Sequence, residues 1–372
     1  MGRTALTAIR LLYLVSHPIQ YQAPLLRLIA AEAGIALRVV FERDTEGGYF
    51  DPGFGRRVCW DLPLRQGYDS ALATETDLSA EIASADVIWL HGWQGARMRK
   101  ALARHHGKPV LMRGENTLYA MPDGRGLRGW LKRRWLNWVF ARVTTFLAIG
   151  SDNAAYYRAH GVDPARIVLM PYAVDNAAFA STRAEEVAAL RDEFGLEAGR
   201  PVVLYAGKLM RRKHPDTLLR AWRMAPWNGR PPVLLYVGDG EMRAGLEVAA
   251  DEDVIFAGFR NQGQLPALYA LADVFVLASE REPWGLAVNE AMAAGTAVIV
   301  GDQVGAAADL VTEECGRVVP AGDAPTLALA LVDVLGRAVT AGQAAQTRVA
   351  GWNFDADLAG LKHAINMLRN AP

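Results

Sequence analysis

The chain has 372 residues, of which 51% are hydrophobic. That is enough apolar material for two domains, because a single core seldom grows past roughly 300 residues. The 40 Lys and Arg residues equal the 40 Asp and Glu residues in number, so the overall charge gives no reason to expect a nucleic-acid partner. The two cysteines, Cys59 and Cys315, are too far apart for a zinc knuckle or a disulfide scaffold, and we interpret both as core residues.

Strand-like and helix-like segments alternate along the first half of the chain, at residues 9–15, 23–32, 36–41, 86–90, 109–112 and 145–149. A second series of buried strands follows at residues 201–205, 232–237, 254–256, 273–278 and 297–300, with helices between them. Alternating β and α segments predict parallel sheets covered by helices on both faces.

These two series predict an α/β protein with two doubly wound, Rossmann-like domains, at residues 1–175 and 201–352. A charged, alanine-rich linker at 176–200 separates them, and a helix at 353–372 could cross back to the first domain. In such sheets ligands bind beyond the carboxyl ends of the strands, so we expect the domains to face a ligand-binding cleft.

Polar side chains follow three strands of the first series. His17, Gln20, Tyr21 and Gln22 come directly after the first strand and should line the cleft floor. His91 ends the strand at 86–90, where it could donate a hydrogen bond to a sugar hydroxyl or a carbonyl oxygen, although a lone histidine is more often structural.

The segment after residues 109–112 carries Arg113, Glu115 and Asn116, which we assign to the acceptor substrate; a capped turn explains them equally well. Residues 125–142 interleave basic side chains with tryptophans on a helix. This pattern is typical of peripheral membrane contact, and also of aromatic residues that pack on a sheet.

No apolar run reaches the roughly 20 residues that span a bilayer. Residues 1–15 carry Arg3 and Arg10 around a very short apolar run, which favours a first strand over a signal peptide. We therefore expect a cytoplasmic protein, with a peripheral contact at the inner face of the membrane as the alternative.

In the second series, Gly207, Lys208 and Lys213 follow a strand. The glycine permits close backbone approach and the two lysines can neutralise a diphosphate; the alternative is a solvated basic loop. Phe259 and Arg260, after the strand at 254–256, could frame a base, or could be a strand end with a surface arginine.

The acidic trio at residues 251–253 has the DxD form that binds Mn²⁺ or Mg²⁺ in other enzymes. It precedes a strand, so it lies at the amino end of the sheet and away from the ligand edge. We therefore interpret it as a surface loop and predict no metal and no other cofactor.

Two glutamates, Glu282 and Glu290, flank the start of a helix that opens near Gly285. The first amides of a helix favour an anion such as a phosphate, and carboxylates accept hydrogen bonds from sugar hydroxyls. The order sugar, phosphate, sugar is that of a nucleotide sugar. The donor-binding residues predicted here are Pro283, Trp284, Gly285, Leu286 and Glu290.

With these residues in place, the chain resembles the retaining glycosyltransferases of family four, which have the GT-B fold. The resemblance covers most of the chain and rests on the Glu-x7-Glu motif at Glu282 and Glu290, on Lys208 and Lys213, and on His91. The segments at 171–175 and 237–240 add to it.

The resemblance implies that Glu282 contacts the donor sugar, that Glu290 accepts from the nucleotide ribose, and that both lysines stabilise the departing diphosphate. His91 would steady the donor sugar. The acceptor hydroxyl would attack on the face that the nucleotide leaves, with the leaving phosphate taking the proton and without a metal.

The resemblance leaves the substrates open. UDP- or GDP-sugars are the expected donors, and a glycan, a lipid-linked saccharide or a small metabolite is the expected acceptor. Many relatives carry a Gly-Gly loop after the first strand, where this chain has residues 17–22. The alternatives are a GT-B sugar-nucleotide epimerase or phosphorylase, and a non-catalytic protein that binds nucleotide sugars.

Overall fold

The computed structural model describes residues 8–369. Arg3 and residues 370–372 of the helix predicted at 353–372 therefore lie outside the described residues. The strands of this part are β1 (Ile9–Val15), β2 (Ile35–Phe41), β3 (Tyr49–Asp51), β4 (Arg56–Val58), β5 (Asp69–Leu72), β6 (Val87–His91), β7 (Val110–Arg113), β8 (Thr145–Ala148), β9 (Ile167–Leu169), β10 (Val202–Ala206), β11 (Val233–Val237), β12 (Val254–Gly258), β13 (Val274–Leu277), β14 (Ala297–Gly301) and β15 (Gly316–Val319).

The α-helices are α1 (Ala23–Ala31), α2 (Leu78–Ser84), α3 (Ala96–Ala103), α4 (Gly126–Phe140), α5 (Ser151–Ala159), α6 (Asn176–Ala180), α7 (Ala184–Glu193), α8 (Pro215–Met224), α9 (Arg243–Ala249), α10 (Leu265–Leu271), α11 (Leu286–Ala293), α12 (Ala306–Leu310), α13 (Ala324–Leu335), α14 (Ala338–Val349) and α15 (Phe354–Arg369). Short 3-10 turns occur at Pro164–Arg166, Arg211–Lys213 and Gln262–Gln264.

The chain forms two compact units. The first contains residues up to Gly48, Leu62–Pro171 and the segment from Phe354 onwards, and the second contains Tyr49–Asp61 and Tyr172–Asn353. Two segments therefore fold away from their neighbours in sequence. The hairpin β3–β4 belongs to the second unit, and the last helix belongs to the first.

The first unit is built on a parallel sheet with the strand order β5-β2-β1-β6-β7-β8-β9. Its central strands are continuous apolar runs because helices cover both faces. One face carries a core with Leu12, Leu90 and Met112, and the other a core with Tyr13, Trp89 and Leu111. The alternation of neighbours such as Trp89 and Leu90 is the two-residue period of a strand.

Helix α15 packs on the first unit against α1, β8 and β9. Its Asp357 side chain accepts a hydrogen bond from the Arg113 guanidinium at 3.1 Å, and both side chains are at most 2% exposed. Arg113 lies in β7, so this pair connects the last helix to that strand. Separating the two side chains would leave an uncompensated buried charge, which is energetically costly.

The second unit has a six-stranded parallel sheet in the order β12-β11-β10-β13-β14-β15. Val203, Tyr205, Val276 and Ile299 contribute to the core on one face. The antiparallel hairpin β3–β4 forms a separate two-stranded ribbon in this unit.

The segment predicted as a linker, 176–200, contains α6 and α7, which pack against α10 and α11 of the second unit. The ring of Phe179 is buried and lies 5.9 Å from that of Tyr269. Burial of this apolar side chain explains why the segment folds onto the unit rather than standing free.

Cys315 is buried, as expected, but Cys59 is exposed next to the hairpin, so its interpretation as a core residue was wrong. Within residues 8–369 no single helix has the length and apolar character to cross a bilayer. Only α13 and α14 together pass that test, and a bend of 93° separates them.

Candidate functional site

The loop between β13 and α11 holds Glu282, the first glutamate of the predicted motif, and Glu290 lies within α11. It ends at Gly285, whose φ of 96° is left-handed. A Cβ at this position would come 2.9 Å from side-chain atoms of both Leu277 and Val304. Only glycine therefore fits at this position before the helix. Leu286 is the first residue of α11, and the backbone amides at the start of a helix have no intrahelical acceptor.

Glu282 is held in place by backbone and side-chain partners. Its amide donates to the Gln303 carbonyl at 3.0 Å, and the Gly305 amide donates to its carbonyl at 3.1 Å. Its carboxylate forms an ion pair with the Lys213 ammonium, and the Arg212 guanidinium lies 3.5 Å away. The predicted sugar-binding carboxylate and the predicted phosphate-binding lysine are therefore direct neighbours.

Glu290 lies one turn into α11 and is buried. Its carboxylate accepts from the Tyr269 hydroxyl at 2.8 Å and from the Gln262 amide at 3.3 Å. Burial raises the pKa of Glu290, and these two hydrogen bonds only partly offset that effect. A buried carboxylate with two neutral donors has remaining acceptor capacity for a hydroxyl pair.

Lys208 lies after β10 and pairs with the hairpin β3–β4. Its ammonium donates to the Asp51 carboxylate at 2.9 Å. Burial acts to raise the pKa of Asp51, but Lys208 and the amides of Gly53 and Phe54 outweigh it, so the pKa is lowered and the carboxylate stays charged. Gly207, with φ 153°, precedes the lysine, and its amide donates to the Val237 carbonyl at 2.9 Å.

The hairpin also surrounds Phe259. The rings of Phe54 and Trp60 lie 5.1 and 6.1 Å from that ring, and the Arg56 guanidinium lies 5.0 Å from its centre. Arg260 points elsewhere, because its guanidinium forms an ion pair with Glu193 of α7. The structure thus brings Phe259, but not the Arg260 head group, together with Lys208 and the hairpin.

Trp284 is a core residue. Its indole N–H donates to the Asn289 side chain at 2.9 Å, and its ring stacks on Trp352 at 5.1 Å. Pro283 is half-buried beside it. The tryptophan therefore anchors the loop that carries Glu282, which is a positioning role.

Two of the three acidic residues at 251–253 form ion pairs with arginines. Asp251 lies 2.6 Å from Arg223, and Asp253 lies 2.6 Å from Arg200 and 3.0 Å from Arg230. Among residues 8–369, no cluster of three or more His, Cys, Asp or Glu side chains could hold a metal ion.

In the first unit, His91 ends β6 within a hydrogen-bonded group. Its Nδ1 atom lies 3.0 Å from the Tyr13 hydroxyl and 3.3 Å from the Gln22 amide, and its Nε2 atom lies 3.7 Å from Glu115. Glu115 also accepts from the Tyr21 hydroxyl at 2.7 Å. Four of the residues predicted to bind substrate, His91, Tyr21, Gln22 and Glu115, are thus brought together.

His17 is hydrogen bonded to Ser16 at 2.8 Å, and Gln20 lies half-buried in the turn before α1. Burial, with smaller contributions from nearby Arg43 and His91, lowers the pKa of His17 to about 4. The imidazole is therefore neutral at pH 7, and its ring can both donate and accept a hydrogen bond.

Arg113 and Asn116, both predicted to contact the acceptor, are directed into the first unit. The Arg113 guanidinium donates to the Met170 carbonyl at 3.0 Å as well as to Asp357. The Asn116 carbonyl accepts from Asn153 at 2.7 Å, and Asn116 is only 5% exposed. The main contacts of both residues are structural. Arg113 is not grouped with the His91 cluster, whereas Asn116 also lines a cavity beside His91.

Several residues at these sites escaped the sequence analysis. Asp51, Phe54 and Trp60 lie in a segment without helical or strand periodicity, where aromatic residues between glycines are the one signal of a hairpin. Tyr269 reads as a core residue of an apolar helix. Only its position opposite Glu290 reveals its part in the site.

Known families match both units. Residues 19–173 match the family "Glycosyl transferase 4-like domain", and residues 186–340 match "Glycosyl transferases group 1". A stretch of 137 residues is 34% identical to an uncharacterized glycosyltransferase of Methanocaldococcus jannaschii, and covers 35% of this chain and 34% of that protein.

A stretch of 253 residues is 28% identical to the D-inositol 3-phosphate glycosyltransferase of Mycobacterium bovis, and covers 64% of this chain and 52% of that protein. The chain therefore spans about a third and about half of the lengths of these two relatives.

Among solved structures, Anabaena HepE in complex with UDP and glucose is similar with a TM-score of 0.71 and 16% identity, over 96% of this chain and 100% of that one. This likeness shows the fold. The two family matches, one on each parallel-sheet unit, show that the chain belongs to the glycosyltransferases of the group 1 and family-four type, and the structural likeness shows that it has the GT-B fold.

Proposed function

We propose that this protein is a retaining glycosyltransferase that moves a sugar from a nucleotide-diphosphate donor to a hydroxyl acceptor without a metal ion. The observation that carries this proposal is the contact of Glu282 with Lys213 directly before α11, with buried Glu290 one turn further along the helix. Carboxylates on either side of a helix start with an adjacent cation suit a ligand in which two sugars flank a phosphate group.

Each side chain of the second unit has one task in this proposal. Glu282 accepts hydrogen bonds from the transferred sugar, and the first amides of α11 with Lys213 and Lys208 bind the diphosphate. Glu290 accepts from the ribose hydroxyls, since its two present partners are both donors. Phe259 packs against the base as part of an aromatic wall with Phe54 and Trp60.

In the reaction, the bond between the anomeric carbon of the donor sugar and the phosphate oxygen breaks while the acceptor oxygen attacks on the same face. The acceptor proton passes to the leaving phosphate oxygen, and the lysines stabilise the charge that develops there. Retention then needs no protein nucleophile. His91 and Glu115 of the first unit are proposed to bind sugar hydroxyls, because both present polar atoms at a strand end.

The donor is proposed to be a UDP-sugar first and a GDP-sugar second. The UDP complex of Anabaena HepE supports the first choice, since that protein has the same fold. The acceptor is proposed to be a sugar hydroxyl of a glycan, a lipid-linked saccharide or a small metabolite.

The deciding experiment is a thermal-shift panel with UDP-, GDP-, ADP- and dTDP-sugars, each with and without EDTA, followed by NMR analysis of the products. A ligand that binds only the folded state raises the melting temperature. We expect one UDP- or GDP-sugar to raise it equally in EDTA, and a transferred sugar with an unchanged anomeric configuration. No shift with any donor, or an inverted product, contradicts the proposal.

Two variants test the roles. Lys213→Met and Glu290→Gln should each weaken nucleotide binding by roughly 10- to 100-fold, the equivalent of one charged hydrogen bond. Lys100→Met, an exposed lysine on α3, is the matched control and should bind as the parent does. An epimerised nucleotide, phosphate-dependent cleavage or binding without turnover would favour the alternative GT-B activities or a binding protein.

We also propose that the start of α4 contacts a membrane surface. Leu127, Trp130 and Leu131 are exposed there, among basic and no acidic residues of the helix, while Leu136 and Val139 pack inside. Exposed apolar side chains among basic ones favour an anionic lipid surface. Trp130→Ser should reduce co-sedimentation with vesicles of anionic phospholipid; unchanged co-sedimentation contradicts this contact.

A further inference from the structure

A cavity of about 280 Å³ opens beside His91 in the first unit. Its polar lining includes Ser16, Glu42, Glu115 and Asn116, and its apolar lining includes Trp93 and Met98. Ligand pockets usually measure roughly 300–1,000 Å³, so this cavity has room for about one sugar ring.

Glu42 is the carboxylate of this cavity to which the proposed mechanism gives no role. It directly follows β2, and its amide donates to the Val15 carbonyl at 3.0 Å. Its Oε1 atom is inaccessible to solvent and has no hydrogen-bond partner among the described residues. The residue as a whole is only partly buried and lines the cavity, so it places a carboxylate beside any ligand that enters.

The charge of the lining is negative. Two carboxylates, Glu42 and Glu115, line the cavity together with His91, and no lysine or arginine of residues 8–369 lines it. Glu42 also lies against Gly95, the residue that precedes α3. The helix start therefore faces a protein carboxylate already, and it is not available to an anionic group of a ligand.

We propose that Glu42 and Glu115 make this cavity selective for an uncharged, hydroxyl-rich sugar ring and exclude a ring that carries a carboxylate or phosphate. The hydroxyls can donate hydrogen bonds to the carboxylates that line the cavity, whereas an added anion meets two carboxylates and no lysine or arginine in the lining. This inference rests on the proposed function, because it names the class of acceptor that the first unit binds.

The test uses the full chain and two matched probes, p-nitrophenyl β-glucoside and p-nitrophenyl β-glucuronide, which differ by one carboxylate. Dissociation constants come from saturation-transfer NMR titrations. We expect the glucoside to bind at least about 10-fold more tightly, and Glu42→Gln to narrow this ratio to about 3-fold or less. Glu252→Gln, an exposed residue of the second unit, makes the same charge change and should keep the full ratio.

Equal binding of both probes, no saturable binding of either, or an unchanged ratio in Glu42→Gln overturns the inference. An unchanged ratio is also what a purely structural role of Glu42 at the start of α3 would give. If Glu42→Gln does not fold, Glu115→Gln replaces it, since the Glu115 side chain is 37% exposed. A UDP-induced thermal shift with no probe discrimination refutes this inference alone, and probe discrimination without any nucleotide shift refutes the proposed function alone.

Discussion

The ion pair between Lys208 and Asp51 allows a sharp test of how the donor binds. Lys208 is proposed to bind the diphosphate, yet in this structure its ammonium donates to Asp51 of the hairpin β3–β4 at 2.9 Å. If the phosphate takes the place of Asp51, the pair breaks when the donor binds. Asp51→Asn removes the charge and keeps an oxygen that can accept from the amides of Gly53 and Phe54.

The size of the effect follows from the geometry of the pair. A hydrogen bond to a charged group contributes roughly 1.5–3 kcal/mol. The Lys208 side chain is 32% exposed and that of Asp51 is 8% exposed, so solvent screening reduces this to about 1–2 kcal/mol. At about 1.4 kcal/mol for each factor of ten, Asp51→Asn should bind UDP roughly 5- to 30-fold more tightly.

Isothermal titration with UDP measures the effect, and a double-mutant cycle assigns it. In the Lys208→Met background Asp51→Asn should leave UDP affinity unchanged, because no ammonium remains to be released. Weaker UDP binding by Asp51→Asn would refute the reasoning and show that Asp51 positions the lysine for the donor. An equal gain in UDP affinity from Asp51→Asn in the parent and in the Lys208→Met background would refute it as well.

Three further outcomes follow from burial and charge. The pKa of His17 is lowered to about 4 in the folded protein, against about 6.5 when the chain is unfolded, so the unfolded chain binds a proton more readily between these values. The free energy of unfolding should therefore fall by roughly 1–2 kcal/mol as the pH drops from 6.5 to 4, after a discount for the partly exposed ring. In urea unfolding, His17→Asn should not show this dependence of the free energy of unfolding on pH. Tyr269→Phe removes a donor that lowers the pKa of Glu290, so UDP affinity measured by titration should drop more steeply below neutral pH than in the parent. Asp357→Ala strands a buried arginine and should cost roughly 3–5 kcal/mol in urea unfolding, whereas Asp355→Ala on the same helix should cost under about 0.5 kcal/mol.

The fold could be predicted well from the sequence because its main signal is local. Continuous apolar runs such as 202–206 and 274–277 became central strands of parallel sheets. Gly285 and Gly295 mark the two ends of α11, and both have positive φ angles in the structure. Each of these features depends on neighbouring residues alone.

The contacts of the site could be predicted less well, because they join distant parts of the chain. Lys208 meets Asp51 across 157 positions, and Asn261 meets Cys59 across 202. Arg113 carried the same polar signal as Glu115, yet one is buried against α15 and the other faces the cavity. Residue type and strand-end position cannot separate these two outcomes, because packing by a remote helix decides them.

Because α15 packs on the first unit, that unit is completed only after the second unit has been synthesised. Arg113 leaves the ribosome 244 residues before its partner Asp357, and the 172–353 segment of the second unit is made in between. The second unit can therefore fold while the first still lacks a helix that covers β8 and β9. A nascent chain stalled short of residue 354 should expose that face of the first sheet, which makes this unfinished unit the part most prone to aggregation or to chaperone capture during translation.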